Sequence, residues 1–125
     1  MNESPKKSIL VIEDDPLGRE YLCDLLEEED YTVYATCNGK EGMAILNEHR
    51  PNLVVTDIFM PELDGMELLL NLKERHNRIP IIAISGGSRF GGGSTALKAA
   101  SHLGAVCMEK PLHLEKFLKT IRCLI

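Results

Sequence analysis

Short apolar runs alternate with longer amphipathic segments along this chain, and that alternation limits the folds it can adopt. The apolar runs are Ile9–Ile12, Tyr31–Thr36, Leu53–Thr56, Ile81–Ile84 and Ala105–Met108. Three of them carry no polar alternation, which is typical of strands covered on both faces. Five such runs, each followed by a helical segment, predict an α/β fold: a doubly wound, five-stranded parallel sheet with right-handed crossovers.

The segments between the runs have helical spacing. The first is expected to bury one side made of five residues: Leu17, Tyr21, Leu22, Leu25 and Leu26. The last carries a stripe with spacing i, i+3, i+4, i+7, continued one turn further: Leu114, Phe117, Leu118, Ile121 and Ile125. Such stripes are typical of helices that cover a sheet. Helices are also predicted over Gly39–Glu48, Asp64–His76 and Ser94–Leu103.

The chain has 125 residues, the size of one ordinary domain. We expect residues 1–7 to form an N-terminal tail and residues 8–125 the folded domain, with no output domain. The net charge of −5 argues against binding to nucleic acid or to an anionic membrane, because both require clustered cations. The apolar runs are far shorter than the ~20 residues of a membrane span, and no signal segment begins the chain. We therefore predict a cytoplasmic protein.

The four cysteines are scattered, with no C-x-x-C pair: Cys23, Cys37, Cys107 and Cys123. This spacing argues against a disulfide or zinc framework. We expect small, buried, apolar side chains, with a redox sensor as the alternative.

Acidic residues follow two of the predicted strands directly. Glu13, Asp14 and Asp15 come after the first strand, and Asp57 comes after the third. In a doubly wound sheet of order 2-1-3-4-5 these two strands are neighbours, and ligands bind at the carboxyl ends of the strands there. Asp14 and Asp57 should therefore meet. Clustered carboxylates repel one another and need a cation or raised pKa values, and hard oxygen donors suit Mg²⁺.

Two further residues suit phosphate chemistry, which a cation held by carboxylates at a strand end commonly serves. Ser85 ends the fourth strand, where its hydroxyl can donate to a phosphoryl oxygen. Lys110 follows the fifth strand, where its ammonium can pair with Asp57 and then with the phosphoryl group. Pro111 comes next, and we expect a cis bond before it more often than the usual ~5%.

Taken alone, each of these residues has an ordinary structural interpretation. Asp15 precedes Pro16 and is expected to cap a helix, with membership of the ligand shell as the alternative. Asp57 or Ser85 alone would be a turn residue, and Lys110 alone a surface lysine. Four separate positions on the same edge of one sheet favour a shared site.

Four motifs support this interpretation, and together they cover essentially the whole chain, from about Ser8 to Ile125. They are ILVIEDDP at Ile9–Pro16, VVTDIFMPELDG at Val54–Gly65, PIIAISG at Pro80–Gly86, and Gly104-Ala105 with EKP at Glu109–Pro111. In this order and spacing the chain resembles the response-regulator receiver domains of two-component signalling, of the single-domain type. The resemblance implies the (βα)5, flavodoxin-like form of the predicted fold.

The resemblance implies a role for each matching acid. Asp57 would be the phosphoacceptor, taking a phosphoryl group from the phosphohistidine of a sensor kinase. Asp14 would be the principal Mg²⁺ ligand, with Asp57 and the backbone carbonyl of Phe59 completing the protein's contribution. Glu13 would hold a metal-bound water.

The resemblance also implies a switch and partners. Ser85 would turn toward the phosphoryl oxygen and Lys110 would pair with it, while Pro61 and Gly65 shape the loop leading to the third helix. The partners would be a sensor histidine kinase or a histidine phosphotransfer protein, and a downstream protein effector. The protein would not be an enzyme, although it would assist its own phosphorylation and dephosphorylation. Signalling would use a changed face of the fourth helix, fifth strand and fifth helix.

Three positions differ from the family's pattern. Cys107 stands where receivers usually have Tyr or Phe, so the aromatic partner for Ser85 is missing. The Gly86–Gly93 stretch is unusually rich in glycine, and we expect phosphorylation to reorder it together with the helix that follows. Phe59 lies two positions after Asp57, where an apolar ring is expected to hinder the water that would dephosphorylate it.

The sequence also allows three other interpretations. The Gly86–Ser94 loop follows a strand and precedes a helix, which suits a nucleotide- or flavin-binding domain, but it lacks the G-x-x-x-x-G-K-[ST] order. A hydrolase of the aspartyl-phosphate type normally has an acid two positions after its nucleophile, where this chain has Phe59. A constitutive scaffold of the receiver fold would not need the intact set of Asp14, Asp57, Ser85 and Lys110.

Overall fold

The computed structural model describes residues 5–57, 70–74, 78–85, 101 and 104–125. Its centre is a sheet of five parallel strands: β1 (Ser8–Ile12), β2 (Thr32–Thr36), β3 (Leu53–Asp57), β4 (Ile81–Ser85) and β5 (Val106–Glu109). The strand order is β2-β1-β3-β4-β5, so the predicted fold and order are confirmed.

Helices connect and cover these strands: α1 (Pro16–Glu28), α2 (Gly39–His49) and a C-terminal helix (Leu114–Leu124). Residues 70–74 and Ser101 are also helical, within the two other helices that the sequence predicts. The rest of those two predicted helices and the predicted glycine-rich loop over residues 86–94 lie outside the described residues, as do Phe59, Pro61 and Gly65.

The three inner strands form the core because both faces of the sheet are covered. Every residue of β3 and β4 is buried, as are four of the five residues of β1. Alternate residues point to opposite faces. Leu10 and Ile12 pack with Leu46 of α2, whereas Ile9 and Val11 belong to a second cluster with α1 and the C-terminal helix. The continuous apolar runs predicted this two-sided burial correctly.

The predicted apolar side of α1 is only partly right. Leu22 and Leu26 are buried, but Leu17 is 76% exposed and Tyr21 is 56% exposed. At about 100° per residue, positions 17 and 22 lie about 140° apart around the helix, so one flat sheet cannot cover both. The sheet covers the side of Leu22 and Leu26, and the exposed pair lies near the carboxyl ends of the strands. Leu114, predicted in the final stripe, is likewise 40% exposed.

A close approach between α2 and β1 depends on Gly42. A Cβ atom at this position would lie 2.5 Å from Cδ1 of Ile12. Ile12 is only 1% exposed, so its side chain has little room to move away. The missing side chain therefore allows α2 to cover the end of β1, directly before the acidic residues.

All four cysteines carry free thiols, but they are not uniformly buried as expected. Cys37 and Cys123 are exposed, because they lie on a turn and on the outer side of the C-terminal helix. Cys23 and Cys107 are half-buried, and burial raises the pKa of both thiols. Both are therefore held in the less reactive protonated form.

In the described part of the chain, every helix falls short of the length and apolarity that crossing a membrane would require.

Candidate functional site

The acids directly after β1 and the acid that ends β3 meet at one edge of the sheet. Ile12 pairs in register with Thr56, so the residues that follow them, Glu13 and Asp57, are neighbours. Ligand oxygens of Glu13, Asp14 and Asp57 all lie within 4.8 Å of one another. The strand order thus brings together the acids that the sequence places after separate strands.

Lys110 joins two of these acids. Its Nζ donates to Oε1 of Glu13 at 2.8 Å and to Oδ2 of Asp57 at 3.1 Å. The sequence predicted the contact with Asp57, whereas the contact with Glu13 follows only from the folded arrangement. Lys110 lies in the turn after β5, and its bond to Pro111 is cis, in agreement with the expectation from sequence.

Burial makes this charge balance necessary. Glu13 is 2% exposed and Asp57 is 6% exposed, whereas Asp14 is exposed to solvent. Buried carboxylates are stable only when a cation or hydrogen bonds compensate for lost hydration. Here Lys110 supplies that compensation for both buried acids, and Asp14 remains open to solvent.

Two pKa values reflect this arrangement. The pKa of Asp14 is raised, first by partial burial and then by the hydrogen bond and charge of neighbouring Glu13. For Lys110, burial favours the neutral amine, but the hydrogen bonds and charges of Glu13 and Asp57 outweigh it and raise the pKa. The lysine is therefore firmly cationic at neutral pH, and a further cation near Asp14 would relieve repulsion.

Ser85 ends β4 at the same edge. Ile84 pairs with Asp57 in the β3–β4 register, so Ser85 lies one residue beyond the acid. Ser85 is fully buried, and its backbone carbonyl accepts from the amide of Lys110 at 2.8 Å. This bond fixes the start of the Lys110 turn against the end of β4.

Asp15 is a helix cap. Its Oδ2 accepts from the amide of Gly18 at 3.1 Å, and Pro16 occupies the first turn of α1. Capping was the preferred prediction and is confirmed. Among the described residues, the acidic group with converging ligand oxygens contains Glu13, Asp14 and Asp57 but not Asp15.

Sequence reasoning missed two residues that hold the backbone of this group. Nη1 of Arg19 donates to the carbonyl oxygen of Glu13 at 2.8 Å, and the amide of Glu13 donates to the carbonyl of Thr36 at 3.0 Å. The sequence shows only that Arg19 lies in the first turns of the helix that follows the acids. This position does not reveal where the long side chain points.

Cys107 occupies the middle of the edge strand β5, opposite Ala83. Its side chain packs against the apolar cluster on the α2 side of the sheet, and Sγ lies 3.7 Å from the carbonyl oxygen of Ala105. It therefore behaves as a small, partly buried apolar side chain.

A cleft of about 590 Å³ opens beside Lys110 and Glu13. Its other walls are mainly apolar, with Tyr21 and Leu22 from α1, and Leu112 from the turn before the C-terminal helix. The cleft gives molecules from solvent a route to the charged end of the site.

The acidic group fits a Mg²⁺ ion by its donor chemistry. Mg²⁺ binds oxygen at about 2.1 Å, so its octahedral ligands lie about 3–4 Å apart. The three carboxylates present oxygens within 4.8 Å of one another, close to that spacing. Solvent exposure at Asp14 leaves room for the waters that Mg²⁺ retains.

The sequence model of the response regulator receiver domain family matches residues 9–122. The chain belongs to this family. A curated relative is the polar-differentiation response regulator DivK of Brucella anthropi, which is 32% identical over 120 residues, covering 93% of this chain and 94% of the relative.

Solved structures show the same fold. A CheY-like receiver domain protein from Methanospirillum hungatei is 25% identical, with a TM-score of 0.84 over 94% of this chain and 92% of that one. A putative response regulator from Chloroflexus aurantiacus has a TM-score of 0.85 at 20% identity, over 96% of this chain and 98% of that one. The family match to most of the chain favours a receiver over a nucleotide- or flavin-binding domain.

Proposed function

We propose that this receiver domain, over residues 8–125, is a phosphoacceptor that takes a phosphoryl group on Asp57. The observation that carries the proposal is the contact of Lys110 Nζ with both Asp57 and Glu13, beside the exposed carboxylate of Asp14. A buried carboxylate, a cation in contact with it and oxygen donors for a second cation thus lie at one edge of the sheet, which supports the proposal.

The chemical step is an exchange of bonds at phosphorus. An Oδ atom of Asp57 attacks the phosphorus of a phosphohistidine, the O–P bond forms and the P–N bond breaks. The electron pair leaves with the imidazole nitrogen, which takes a proton from solvent. The product is an acyl phosphate on Asp57.

Charge compensation comes from the residues around Asp57. Lys110 pairs with the incoming phosphoryl oxygens, and its existing contact with Asp57 means that it needs little movement to do so. The hydroxyl of Ser85 donates to a phosphoryl oxygen from the end of β4.

A bound Mg²⁺ supplies charge neutralisation to the transferring group. Asp14, Asp57 and the backbone carbonyl of Phe59 would hold it, with Glu13 acting through a water. Of these, the three acids are the group whose oxygens converge in the described part of the chain.

The phosphodonor would be a sensor histidine kinase or a histidine phosphotransfer protein, and the signal would pass to a protein effector rather than through catalysis of a separate reaction. The signalling surface would be the face formed by the fourth helix, β5 and the C-terminal helix. We expect a beryllofluoride phosphoryl mimic to change amide hydrogen exchange over residues 86–103, 106–109 and 114–124. Unchanged exchange in all three segments would exclude this face as the signalling surface.

The phosphoacceptor proposal is tested by intact mass. The protein is incubated with acetyl phosphate and Mg²⁺, alongside Asp57→Asn and a matched control, Asp24→Asn, which removes an exposed acid from α1. We expect one phosphoryl adduct on wild type and on the control, and none on Asp57→Asn. An adduct of equal yield on Asp57→Asn would place the phosphoacceptor elsewhere.

A further inference from the structure

Arg19 contacts the backbone of the acidic group rather than a carboxylate. Its Nη1 donates to the carbonyl oxygen of Glu13 at 2.8 Å, from the first turns of α1 to the residue after β1. The side chain of Arg19 is half-buried at this position. The guanidinium therefore holds a peptide group in place, and its influence on the site is geometric.

The same residue is held from the opposite side. The amide of Glu13 donates to the carbonyl of Thr36 at 3.0 Å, which extends the β1–β2 pairing one residue beyond β1. The side chain of Glu13 is held in turn by Lys110. Both backbone groups and the carboxylate of Glu13 thus have defined partners.

The carbonyl of Glu13 shares a rigid peptide plane with the amide of Asp14. Fixing the carbonyl direction fixes this plane, and with it the position of the Asp14 Cα from which the side chain starts. Asp14 is exposed and is not buried by neighbouring side chains as Glu13 is. The peptide plane, together with the hydrogen bond from Glu13, therefore restrains the Asp14 carboxylate beside Asp57.

Gly18, directly before Arg19 in the first turn of α1, lies close to the acidic group. A Cβ atom at Gly18 would lie 3.2 Å from Oε1 of Glu13 and 3.2 Å from Oδ2 of Asp15, which is a tight contact. With no side chain there, the first turn of α1 packs directly against the acids. Asp15 fixes that turn, because its carbonyl accepts from the amide of Arg19 at 2.9 Å.

We propose that Arg19 is a positioning residue for the divalent cation, acting through the Glu13–Asp14 peptide to present Asp14 to the same ion as Asp57. The inference rests on the proposed phosphoacceptor function, since it concerns the cation that serves it. Residues that orient metal ligands from behind typically change metal affinity about 10–100-fold when they are removed.

The test compares Arg19→Met with Arg19→Lys, which retains a cationic donor, and with Arg122→Met. Arg122 pairs with Glu29 at 3.6 Å at the far end of α1, so its variant removes an arginine near the same helix without touching the acids. Mn²⁺ affinity is measured by electron paramagnetic resonance of the free ion. Phosphorylation by acetyl phosphate is measured as a function of Mg²⁺ concentration, and folding by urea unfolding.

We expect Arg19→Met to weaken Mn²⁺ binding about 10-fold, Arg19→Lys to recover part of the loss, and Arg122→Met to match wild type. The Mg²⁺ concentration for half-maximal phosphorylation should rise similarly, with the rate at saturating Mg²⁺ within about twofold of wild type. A purely structural role would reduce the active fraction without moving that midpoint.

Mn²⁺ affinity of folded Arg19→Met within twofold of wild type would overturn the proposal. If Arg19→Met does not fold, the Mn²⁺ affinity of Arg19→Gln is measured instead, and the same twofold limit applies. Failure of the underlying function would give a different result. Wild type would then bind no Mn²⁺, or its Mn²⁺ binding would be unchanged when Asp14 or Asp57 is replaced.

Discussion

The Nζ atom of Lys110 lies 3.1 Å from Oδ2 of Asp57, although the two residues belong to different strand ends of the sheet. The same atom lies 2.8 Å from Oε1 of Glu13. Lys110 thus serves as the cation for two buried acids. The contact links stability to the proposed function, because the lysine that stabilises the two buried acids is also the group that would pair with the phosphoryl oxygens.

Removing Lys110 should therefore destabilise the domain. Loss of one partner from a buried ion pair costs about 3–5 kcal/mol, and partial exposure of Lys110 reduces this to about 1–3 kcal/mol for Lys110→Met. Urea unfolding without Mg²⁺ measures the change. Lys119→Met, at an exposed position of the C-terminal helix, is the control and should change the free energy of unfolding by less than about 0.5 kcal/mol. Equal stability of Lys110→Met and wild type would show that the acids find other partners.

Lys110→Met should also bind Mg²⁺ more tightly while accepting phosphate more slowly. The lysine charge repels a nearby cation by about 1 kcal/mol in a well-hydrated setting, so its loss should raise Mg²⁺ affinity about fivefold. The rate with acetyl phosphate should fall at saturating Mg²⁺, because the cation opposite the phosphoryl oxygens is gone. Weaker Mg²⁺ binding in this variant would contradict the proposed electrostatic arrangement.

The contribution of Lys110 to stability should disappear at alkaline pH. Its pKa in the folded protein is raised above the ordinary value of 10.5, because the two carboxylates outweigh the effect of burial. The stabilisation is fully present below that ordinary value and is lost as the pH rises through the raised pKa. The difference in unfolding free energy between wild type and Lys110→Met should be constant from pH 7 to about 10 and then shrink. A difference that persists unchanged to pH 12 would argue against a charge-based role.

Asp14 should oppose stability until a cation binds. Its pKa is raised by burial and by Glu13, so its stabilising contribution is present below pH 3.8 and is lost as the pH rises through the raised pKa. Without Mg²⁺ at neutral pH, Asp14→Asn should stabilise the domain by less than about 1 kcal/mol, since solvent screens an exposed group.

The same substitution should abolish the increase in melting temperature that Mg²⁺ gives wild type. Asp15→Asn is the matched control, because it removes one neighbouring charge while asparagine keeps the helix cap. This control should retain the Mg²⁺ effect. The melting temperature of both variants is measured without Mg²⁺ and at Mg²⁺ concentrations raised in 10-fold steps. An increase in Asp14→Asn as large as in wild type would show that Asp14 is not a ligand.

Gly42→Ala should destabilise the domain despite the better helix propensity of alanine. The propensity gain is about 1 kcal/mol, but the new Cβ would lie 2.5 Å from Cδ1 of buried Ile12. We expect a net loss of about 1–3 kcal/mol in urea unfolding.

A double-mutant cycle tests the cause of that loss. Ile12→Val removes the Cδ1 atom, so Gly42→Ala should cost less in the Ile12→Val background than in wild type. Additive effects of the two substitutions would show that the close contact is not the source of the destabilisation.

Much of the site could be predicted because it depends on strand order. The carboxyl ends of adjacent parallel strands share one edge, so Glu13 and Asp57 must be neighbours once β1 lies beside β3. The cap formed by Asp15 was predictable for a different reason, since it involves only four consecutive residues of the chain.

Other features depended on which side of a helix faces the sheet and on where a long side chain reaches, and the local sequence encodes neither. Tyr21 has the spacing of a core residue and is exposed, because the sheet covers a different side of α1. Arg19 has the sequence context of a surface arginine and yet holds the carbonyl of Glu13.

The amino-acid sequence by itself determined the five-stranded parallel fold and the acids at the ends of its first and third strands, because burial patterns and the order of elements are properties of the linear chain. Only the tertiary structure decided that Lys110 pairs with Glu13 as well as Asp57, and that Arg19 supports the acidic peptide. These contacts depend on how far long side chains reach across elements that pack at particular angles, and sequence spacing carries no information about that distance.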